Sequence, residues 1–332
     1  MRAIRTLQPC DMPLVCAPAD AGWSSLAARR AHNPKVAGSN PAPATKKNAP
    51  VPFRGRRFFA FRISYGDNTW PLGYFDVPIA LYLKRPRVMF EGYFRALYRR
   101  TMDESYSVAR TAIADALQGG GNCLDCGANE GQEYENLQQA IGLAPDRYTG
   151  LEWNAQVAEA GRRNGRNVVQ GDLNNRIAFS DEQFRCVFGL SVLEHLLNPC
   201  NFLRESYRCL EPGGTLVTLT PNISTFFTIA LLLLGKMPSS GPHPDSDALL
   251  RREEIFKVSN EDLRHDTQTD TPVHRHLVVF SYRVLKSYLE MLNFKQIEGY
   301  GFGLYPFPNF MQKPLERIDP YHCHQMVFIA RK

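Results

Sequence analysis

Residues 124–131 read Leu-Asp-Cys-Gly-Ala-Asn-Glu-Gly, a short run that ends in two glycines four positions apart. The apolar residues before Gly127 indicate a short buried strand, and Gly127 lets the backbone turn tightly where that strand ends. Gly131 then opens a helix with no side chain in the way. Asn129 stands between the glycines, and asparagine accepts left-handed backbone conformations better than most residues. The stretch therefore predicts a strand, a tight turn and a helix, with backbone N–H groups close to a ligand.

The spacing of these glycines argues against a dinucleotide-binding site. The dehydrogenase fingerprint is Gly-x-Gly-x-x-Gly. Here three residues separate Gly127 from Gly131, and Asp125 stands two residues before the first glycine.

Strand and helix patterns alternate around this stretch, which predicts a parallel sheet with helices on both faces. Right-handed crossovers then place the carboxyl ends of the strands at one edge of the sheet, where ligands bind. The expected helices cover residues 88–117, 132–141, 155–163, 199–210, 226–237 and 282–292. The expected strands cover residues 123–127, 148–152, 167–171, 186–190, 215–219, 294–300 and 325–330.

The candidate site residues stand where the predicted strands end. They are Glu152 and Trp153 after the second strand, Asp172 and Leu173 after the third, and Leu190, Ser191 and the Leu-Glu-His run at 193–195 after the fourth. In this order the features resemble those of the class I S-adenosylmethionine-dependent methyltransferases, in the group whose fourth motif ends in Leu-Glu-His. The resemblance covers residues 90–332. Asn129 departs from the usual central glycine, and Arg185 from the usual aspartate.

The resemblance implies an α/β fold with a doubly wound, Rossmann-like sheet that is mostly parallel and has an antiparallel last strand. It also implies S-adenosyl-L-methionine as the cofactor and a role for each site residue. By resemblance, Gly127, Asn129 and Gly131 form the turn, and Asp125 holds the ammonium end of the cofactor, directly or through water. Glu152 binds both ribose hydroxyls, and Trp153 packs on adenine. Asp172 binds the adenine amino group beside the backbone of Leu173, and Leu190 and Ser191 line the methionine end. Taken alone, Glu152 fits a solvated carboxylate and Asp172 a turn residue.

His195 is the candidate catalytic base. An oxygen or nitrogen acceptor needs a base whose pKa lies near the working pH, and histidine is the common choice. By motif position His195 lies close to the transferred methyl group. The alternative is a histidine that packs the junction between strand and helix.

Two His-x-His pairs, at 274–276 and 322–324, are candidates for metal binding, since on a strand both rings would point to one face. Because no third ligand stands at a fixed spacing, we predict no metal. By resemblance, the first pair lies on a loop near the acceptor pocket. His274 and His276 are therefore candidate substrate contacts.

Cys123 and Cys126 form a Cys-x-x-Cys pair, a spacing open to redox or zinc chemistry. They lie on a predicted buried strand, and no second such pair completes a zinc site. We therefore predict buried structural thiols.

The excess of basic residues lies at the N-terminus. Residues 1–66 carry a net charge of +9 and the remainder carries −3, against +6 for the chain, so we expect no nucleic-acid partner. Residues 17–50 lack apolar periodicity and predict disorder. Residues 38–41, Gly-Ser-Asn-Pro, match a translated transfer-RNA T-arm, so residues 1–50 are either a spurious translation, with a start downstream such as Met89, or a basic disordered tail. Residues 51–88 are an uncertain arm.

The longest apolar run, residues 226–234, is far shorter than the roughly 20 residues of a membrane span, and the N-terminus lacks the apolar stretch of a secretory signal. We therefore expect a cytoplasmic protein with no integral membrane segment.

The sequence thus predicts a methyltransferase domain at residues 89–332, with an insertion at 222–273 that forms a lid over the acceptor. The expected reaction is methyl transfer to an oxygen, with nitrogen or carbon less favoured, of a small molecule or a glycan intermediate. The alternative is a catalytically degenerate protein that uses this fold to bind partners. Acceptor identity and oligomeric state stay open.

Overall fold

A computed structural model describes residues 79–238, 240–246, 248–249 and 275–332, with side chains from residue 92 onward. The predictions for residues 1–50, for most of the arm at 51–88 and for half of the insertion at 222–273 lie outside the described residues.

The described elements alternate as the sequence predicts, with three short 3₁₀ turns between them. The helices are α1 (Ile79–Leu117), α2 (Gln132–Ile141), α3 (Ala155–Arg163), α4 (Pro199–Cys209), α5 (Phe226–Leu233), α6 (Tyr282–Met291) and α7 (Asn309–Ile318). The strands are β1 (Cys123–Cys126), β2 (Tyr148–Glu152), β3 (Val168–Gln170), β4 (Phe184–Leu190), β5 (Leu210–Pro221), β6 (Lys295–Phe302) and β7 (Gln325–Arg331).

The seven strands form one sheet in the order β3-β2-β1-β4-β5-β7-β6. The first five strands pair in parallel, and β7 runs antiparallel to both β5 and β6. The predicted mostly parallel sheet with an antiparallel last strand is therefore confirmed. Because the chain builds outward from β1 on one side and from β4 on the other, a crevice opens at the carboxyl ends of these two strands.

Helices cover both faces of the sheet, and each face has its own hydrophobic cluster. On one face Phe202 and Leu285, from α4 and α6, pack against strand residues. On the other face Ile113 and Leu137, from α1 and α2, do the same. The two thiols of the Cys-x-x-Cys pair are free and belong to opposite clusters, and their predicted burial is confirmed.

The boundaries differ from the predictions in a few places. Helix α1 extends back to Ile79, and β5 begins at Leu210, directly after α4. Helix α7 was not predicted, because it contains Pro314 and its buried positions are polar. Those positions, Gln312 and Glu316, accept hydrogen bonds from the guanidinium of Arg100 on α1, so their burial leaves no apolar periodicity in the sequence.

Asn222, which is fully buried, closes the base of the insertion. Its amide nitrogen donates to the carbonyl oxygens of Tyr321, at 2.7 Å, and Cys323, at 2.9 Å. Its amide oxygen accepts from the backbone N–H of Tyr282, 60 residues along the chain, at 3.3 Å. One side chain therefore ties the exit and the return of the insertion to the end of the sheet.

Within the described residues, no helix combines the length and the apolar character needed to cross a membrane.

Replacing Asn154 with alanine should destabilise the fold by about 1 kcal/mol. The side-chain oxygen of Asn154 accepts from the backbone N–H groups of Gln156 and Val157 at 2.9 and 3.3 Å and so caps α3. The free energy of unfolding in urea measures the loss. The control, Asn154→Asp, keeps the accepting oxygen and should retain most of the stability; equal losses in the two variants would contradict the capping role.

Candidate active site at the carboxyl edge of the sheet

The turn after β1 has the left-handed backbone that its sequence predicts. Gly127, Asn129 and Gly131 have φ values of 77°, 52° and 83°. A Cβ atom on Gly127 would lie 2.6 Å from a methyl group of Val192, so glycine is required there by space as well as by conformation. The turn brings the end of β1 against the residues that follow β4.

Glu152 braces this turn from the end of β2. It is 7% exposed, and its two carboxylate oxygens accept from the backbone N–H groups of Asn129, at 3.1 Å, and Asn154, at 2.9 Å. Each carboxylate oxygen has a second lone pair, so these bonds leave capacity for the hydroxyl groups of a ligand. The bracing role was not predicted from the sequence.

Asp125 lies deeper, on β1 itself, and is 3% exposed. The hydroxyl of Tyr148 on β2 donates to its carboxylate at 2.6 Å. Burial raises the pKa of Asp125 to about 7, and the hydrogen bond from Tyr148 offsets part of that effect. Tyr148 was not singled out in the sequence, where it is one apolar position of a predicted strand.

The residues expected around adenine differ in exposure. Trp153 is 67% exposed beside the end of β2, whereas Leu173 is buried. The carboxylate of Asp172 accepts from the backbone and side-chain nitrogens of Asn174 and from the side chain of Asn175, each at 2.9 Å. Asp172 therefore organises a turn, which is the role that its residue type alone suggests. Its contact with adenine stays a prediction.

At the end of β4, Leu190 is partly buried and Ser191 has a φ of 56°. A serine in this conformation is uncommon and is held here by a hydrogen bond from its own N–H to the carbonyl of Leu219 on β5, at 2.8 Å. The Tyr106 hydroxyl, from α1, lies 3.4 Å from the Ser191 hydroxyl. Burial raises the pKa of Tyr106, whose place beside Ser191 no sequence pattern indicates.

The 3₁₀ turn Leu193–His195 follows, and a distant segment is joined to it. The backbone N–H of Leu277 donates to the carbonyl of Glu194 at 2.6 Å, and Nδ1 of His195 lies 3.1 Å from the carbonyl of Arg275. Glu194 is 2% exposed, and its Oε2 accepts from the hydroxyl of Thr220 at 2.9 Å. Burial raises the pKa of Glu194 to about 7.

His276 is brought against this turn, with its ring centroid 5.1 Å from that of His195. Its Nδ1 lies 2.5 Å from the carbonyl of Ser240, and its backbone N–H donates to Nδ1 of His243 at 3.3 Å. Burial lowers the pKa of His276 to about 3. His274, the other predicted substrate contact, lies outside the described residues.

The second His-x-His pair does not converge. Nδ1 of His322 bonds the carboxylate of Asp319 at 2.7 Å, and the ring of His322 stacks on Phe226. His324 packs edge-on against Tyr98, and burial lowers its pKa to about 4. The two rings thus have separate surroundings.

The sequence of the chain is similar to those of known methyltransferases. A family model described as a methyltransferase domain matches residues 98–298. Over 119 residues the chain is 29% identical to a probable S-adenosylmethionine-dependent methyltransferase of Mycolicibacterium smegmatis (strain ATCC 700084 / mc(2)155), covering 35% of this chain and 42% of that protein. Over 120 residues it is 29% identical to an uncharacterized 37.1 kDa protein in transposon TN4556 of Streptomyces fradiae, covering 34% of each.

The chain therefore spans only about a third to two fifths of the length of the curated relatives it matches. A solved structure from Thermotoga maritima, described as a SAM-dependent methyltransferase and possible histamine N-methyltransferase, has a TM-score of 0.42 and 16% identity, and the match covers 73% of this chain and 97% of that one. The family match and the M. smegmatis relative indicate S-adenosylmethionine as the cofactor.

Proposed function

The chain belongs to the methyltransferase domain family, and from that premise we propose that it transfers a methyl group from S-adenosylmethionine to an oxygen atom of a small molecule or a glycan intermediate. The observation that carries the proposal is the position of Glu152. Its carboxylate joins the left-handed turn after β1 to the end of β2, beside the crevice where doubly wound sheets bind ligands.

The residues at this edge have the chemistry that the cofactor needs. In the proposed complex Glu152 binds the ribose hydroxyls and Trp153 covers adenine. Asp172 and the backbone of Leu173 contact the edge of adenine. Asp125 holds the ammonium group, and Leu190 and Ser191 line the methionine end. The exposed ring of Trp153 and the carboxylate of Glu152 support the assignment most directly. Among the described residues, most of the ring surface and one lone pair on each carboxylate oxygen are left for a ligand.

S-adenosylmethionine supplies a methyl carbon that is already electrophilic. The protein therefore has to align the acceptor in line with the breaking bond, exclude water and accept the acceptor's proton. His195 is the proposed base that accepts this proton. Its Nδ1 faces the carbonyl of Arg275 and so carries a proton, which leaves the lone pair of the neutral ring on Nε2.

The acceptor side of the site is proposed to lie under the insertion at 222–273, as a lid of the domain at 89–332. Helix α5 contributes exposed apolar side chains there, with Leu233 83% and Leu232 55% exposed. Such a surface suits an acceptor with an apolar part. His276 and His274 are the proposed acceptor contacts, and we assign the chain to the group that ends its fourth motif in Leu-Glu-His and to the cytoplasm.

Calorimetric titration of the full chain with S-adenosylhomocysteine and S-adenosylmethionine tests the proposal. Saturable binding of one equivalent of each is expected. A folded chain that binds neither would contradict it and would favour the degenerate, partner-binding alternative.

Replacing Trp153 with alanine should weaken S-adenosylhomocysteine binding about tenfold, since stacking of a base on an aromatic ring contributes about 1–3 kcal/mol. Calorimetry of the two proteins measures the change. Trp153→Phe is the matched control, because it keeps an aromatic face and should bind within about threefold of the parent, as it loses only part of that stacking. Unchanged binding by Trp153→Ala would show that the ring does not contact adenine.

A further inference from the structure

Three side chains from two distant segments meet at the far side of the crevice. Glu194, His195 and His276 each offer one ligand atom, and these atoms lie within 4.8 Å of one another. We infer that these three residues bind a divalent metal ion. The sequence suggested His-x-His pairs, but the structure combines one histidine of such a pair with the Glu-His step that follows β4.

Hydrogen bonds at Nδ1 orient both imidazoles. Nδ1 of His195 faces the carbonyl of Arg275 at 3.1 Å, and Nδ1 of His276 faces the carbonyl of Ser240 at 2.5 Å. A carbonyl only accepts, so Nδ1 carries the proton and Nε2 the lone pair in each neutral ring. A backbone carbonyl that accepts from the second nitrogen is one of the usual ways in which proteins orient a histidine that binds metal.

The carboxylate of Glu194 is oriented in the same manner, by the hydroxyl of Thr220 at 2.9 Å. An ionised carboxylate that is 2% exposed is costly in free energy unless a positive charge lies beside it. A metal ion bound between this carboxylate and the two imidazoles would supply that charge.

The backbone fixes the approach of the two segments. The N–H of Leu277 donates to the carbonyl of Glu194 at 2.6 Å. This bond fixes the distance between His276, the neighbour of Leu277, and the pair Glu194 and His195. His243 holds the far side of His276: its Nδ1 accepts from the backbone N–H of His276 and its own N–H donates to the carbonyl of His276, at 3.3 and 2.9 Å. We assign His243 a positioning role.

Two imidazoles and one carboxylate suit Zn²⁺, Mn²⁺, Fe²⁺ or Co²⁺ better than Ca²⁺ or Mg²⁺, which prefer oxygen ligands. Three protein ligands leave coordination positions open, as in catalytic metal sites. An acceptor hydroxyl bound there would lose its proton to water more easily. This consequence rests on the proposed methyl transfer, and the metal would then replace His195 as the means of activating the acceptor.

Titration with Co²⁺ tests the site, because the visible absorption of bound Co²⁺ reports coordination without any assay of activity. The full chain, first dialysed against a chelator, should bind one equivalent, and Zn²⁺ should displace it. His276→Ala and Glu194→Gln should each weaken binding at least tenfold; the second variant keeps the shape of the side chain and an oxygen for Thr220. His322→Gln, outside the cluster, should bind as the parent does.

The absence of Co²⁺ binding by the parent, or equal binding by the parent and both variants, would overturn the inference. Each protein is also titrated with S-adenosylhomocysteine, which separates the two proposals. A chain that binds S-adenosylhomocysteine but no Co²⁺ overturns the metal site alone. Binding of Co²⁺ without S-adenosylhomocysteine supports the metal site and contradicts the proposed function.

Discussion

Replacing Glu152 with alanine should weaken S-adenosylhomocysteine binding at least about 100-fold. Each hydrogen bond to a charged group contributes about 1.5–3 kcal/mol, so two bonds to ribose hydroxyls account for about 3 kcal/mol, or two powers of ten. The substitution also removes the acceptor for the backbone N–H of Asn129 and so loosens the turn after β1. Calorimetric titration measures the loss.

Two further variants separate charge from shape. Glu152→Gln keeps one accepting oxygen and should fall between the parent and the alanine variant. Glu159→Ala removes an exposed carboxylate of α3 whose partner is Arg162, and it should leave binding unchanged. Parent-like binding by Glu152→Ala would contradict the ribose assignment.

The second large effect concerns stability. Asp125→Asn should raise the free energy of unfolding at pH 8 by about 2–4 kcal/mol. The folded-state pKa of Asp125 is about 7, against an ordinary value of 3.8. Below pH 3.8 the raised pKa does not lower the free energy of unfolding, because Asp125 is protonated in both the folded and the unfolded chain. The free energy of unfolding falls as the pH rises, because the carboxyl group releases its proton at a lower pH in the unfolded chain than in the folded chain. This loss reaches its full size above pH 7. Asparagine carries no such proton and still accepts from Tyr148.

Urea unfolding at pH 5 and pH 8 measures the effect, and the gain at pH 5 should be less than half of that at pH 8. Asp146→Asn, at an exposed aspartate, is the control and should change stability little at either pH. A pH-independent gain for Asp125→Asn would show that burial of the charge is not its source. The same variant should weaken S-adenosylmethionine binding if Asp125 holds the ammonium group.

Local signals explain why several elements were predicted to the residue. Helix α2 ends at Ile141 and is capped by Gly142, in the left-handed conformation, and α3 begins after the cap at Asn154. These end signals depend only on neighbouring residues. Helix α7 was missed because its buried positions bond Arg100, a partner more than 200 residues away, so no periodic apolar pattern marks it.

The sequence predicts which residues lie at the candidate site, but it does not predict the contacts that these residues make. Glu152 follows from its place at a strand end, but its bond to the N–H of Asn129 exists only because β1 and β2 are neighbours in the sheet. The approach of His276 to His195 joins residues about 80 positions apart. No spacing rule relates such residues, which is why the sequence offered no third metal ligand.

The closure made by Asn222 has a consequence for how acceptor preference can change. Both ends of the insertion are anchored at one buried amide, so the sheet is insulated from the number of residues between them. Loop closure costs only about 0.6 kcal/mol for each doubling of loop length. Segments of other lengths should therefore be transplantable at residues 250–273 as interchangeable cassettes. With the insertion acting as the proposed lid, such exchanges would redirect the enzyme to new acceptors while the carboxyl edge of the sheet and the cluster of Glu194, His195 and His276 stay unchanged.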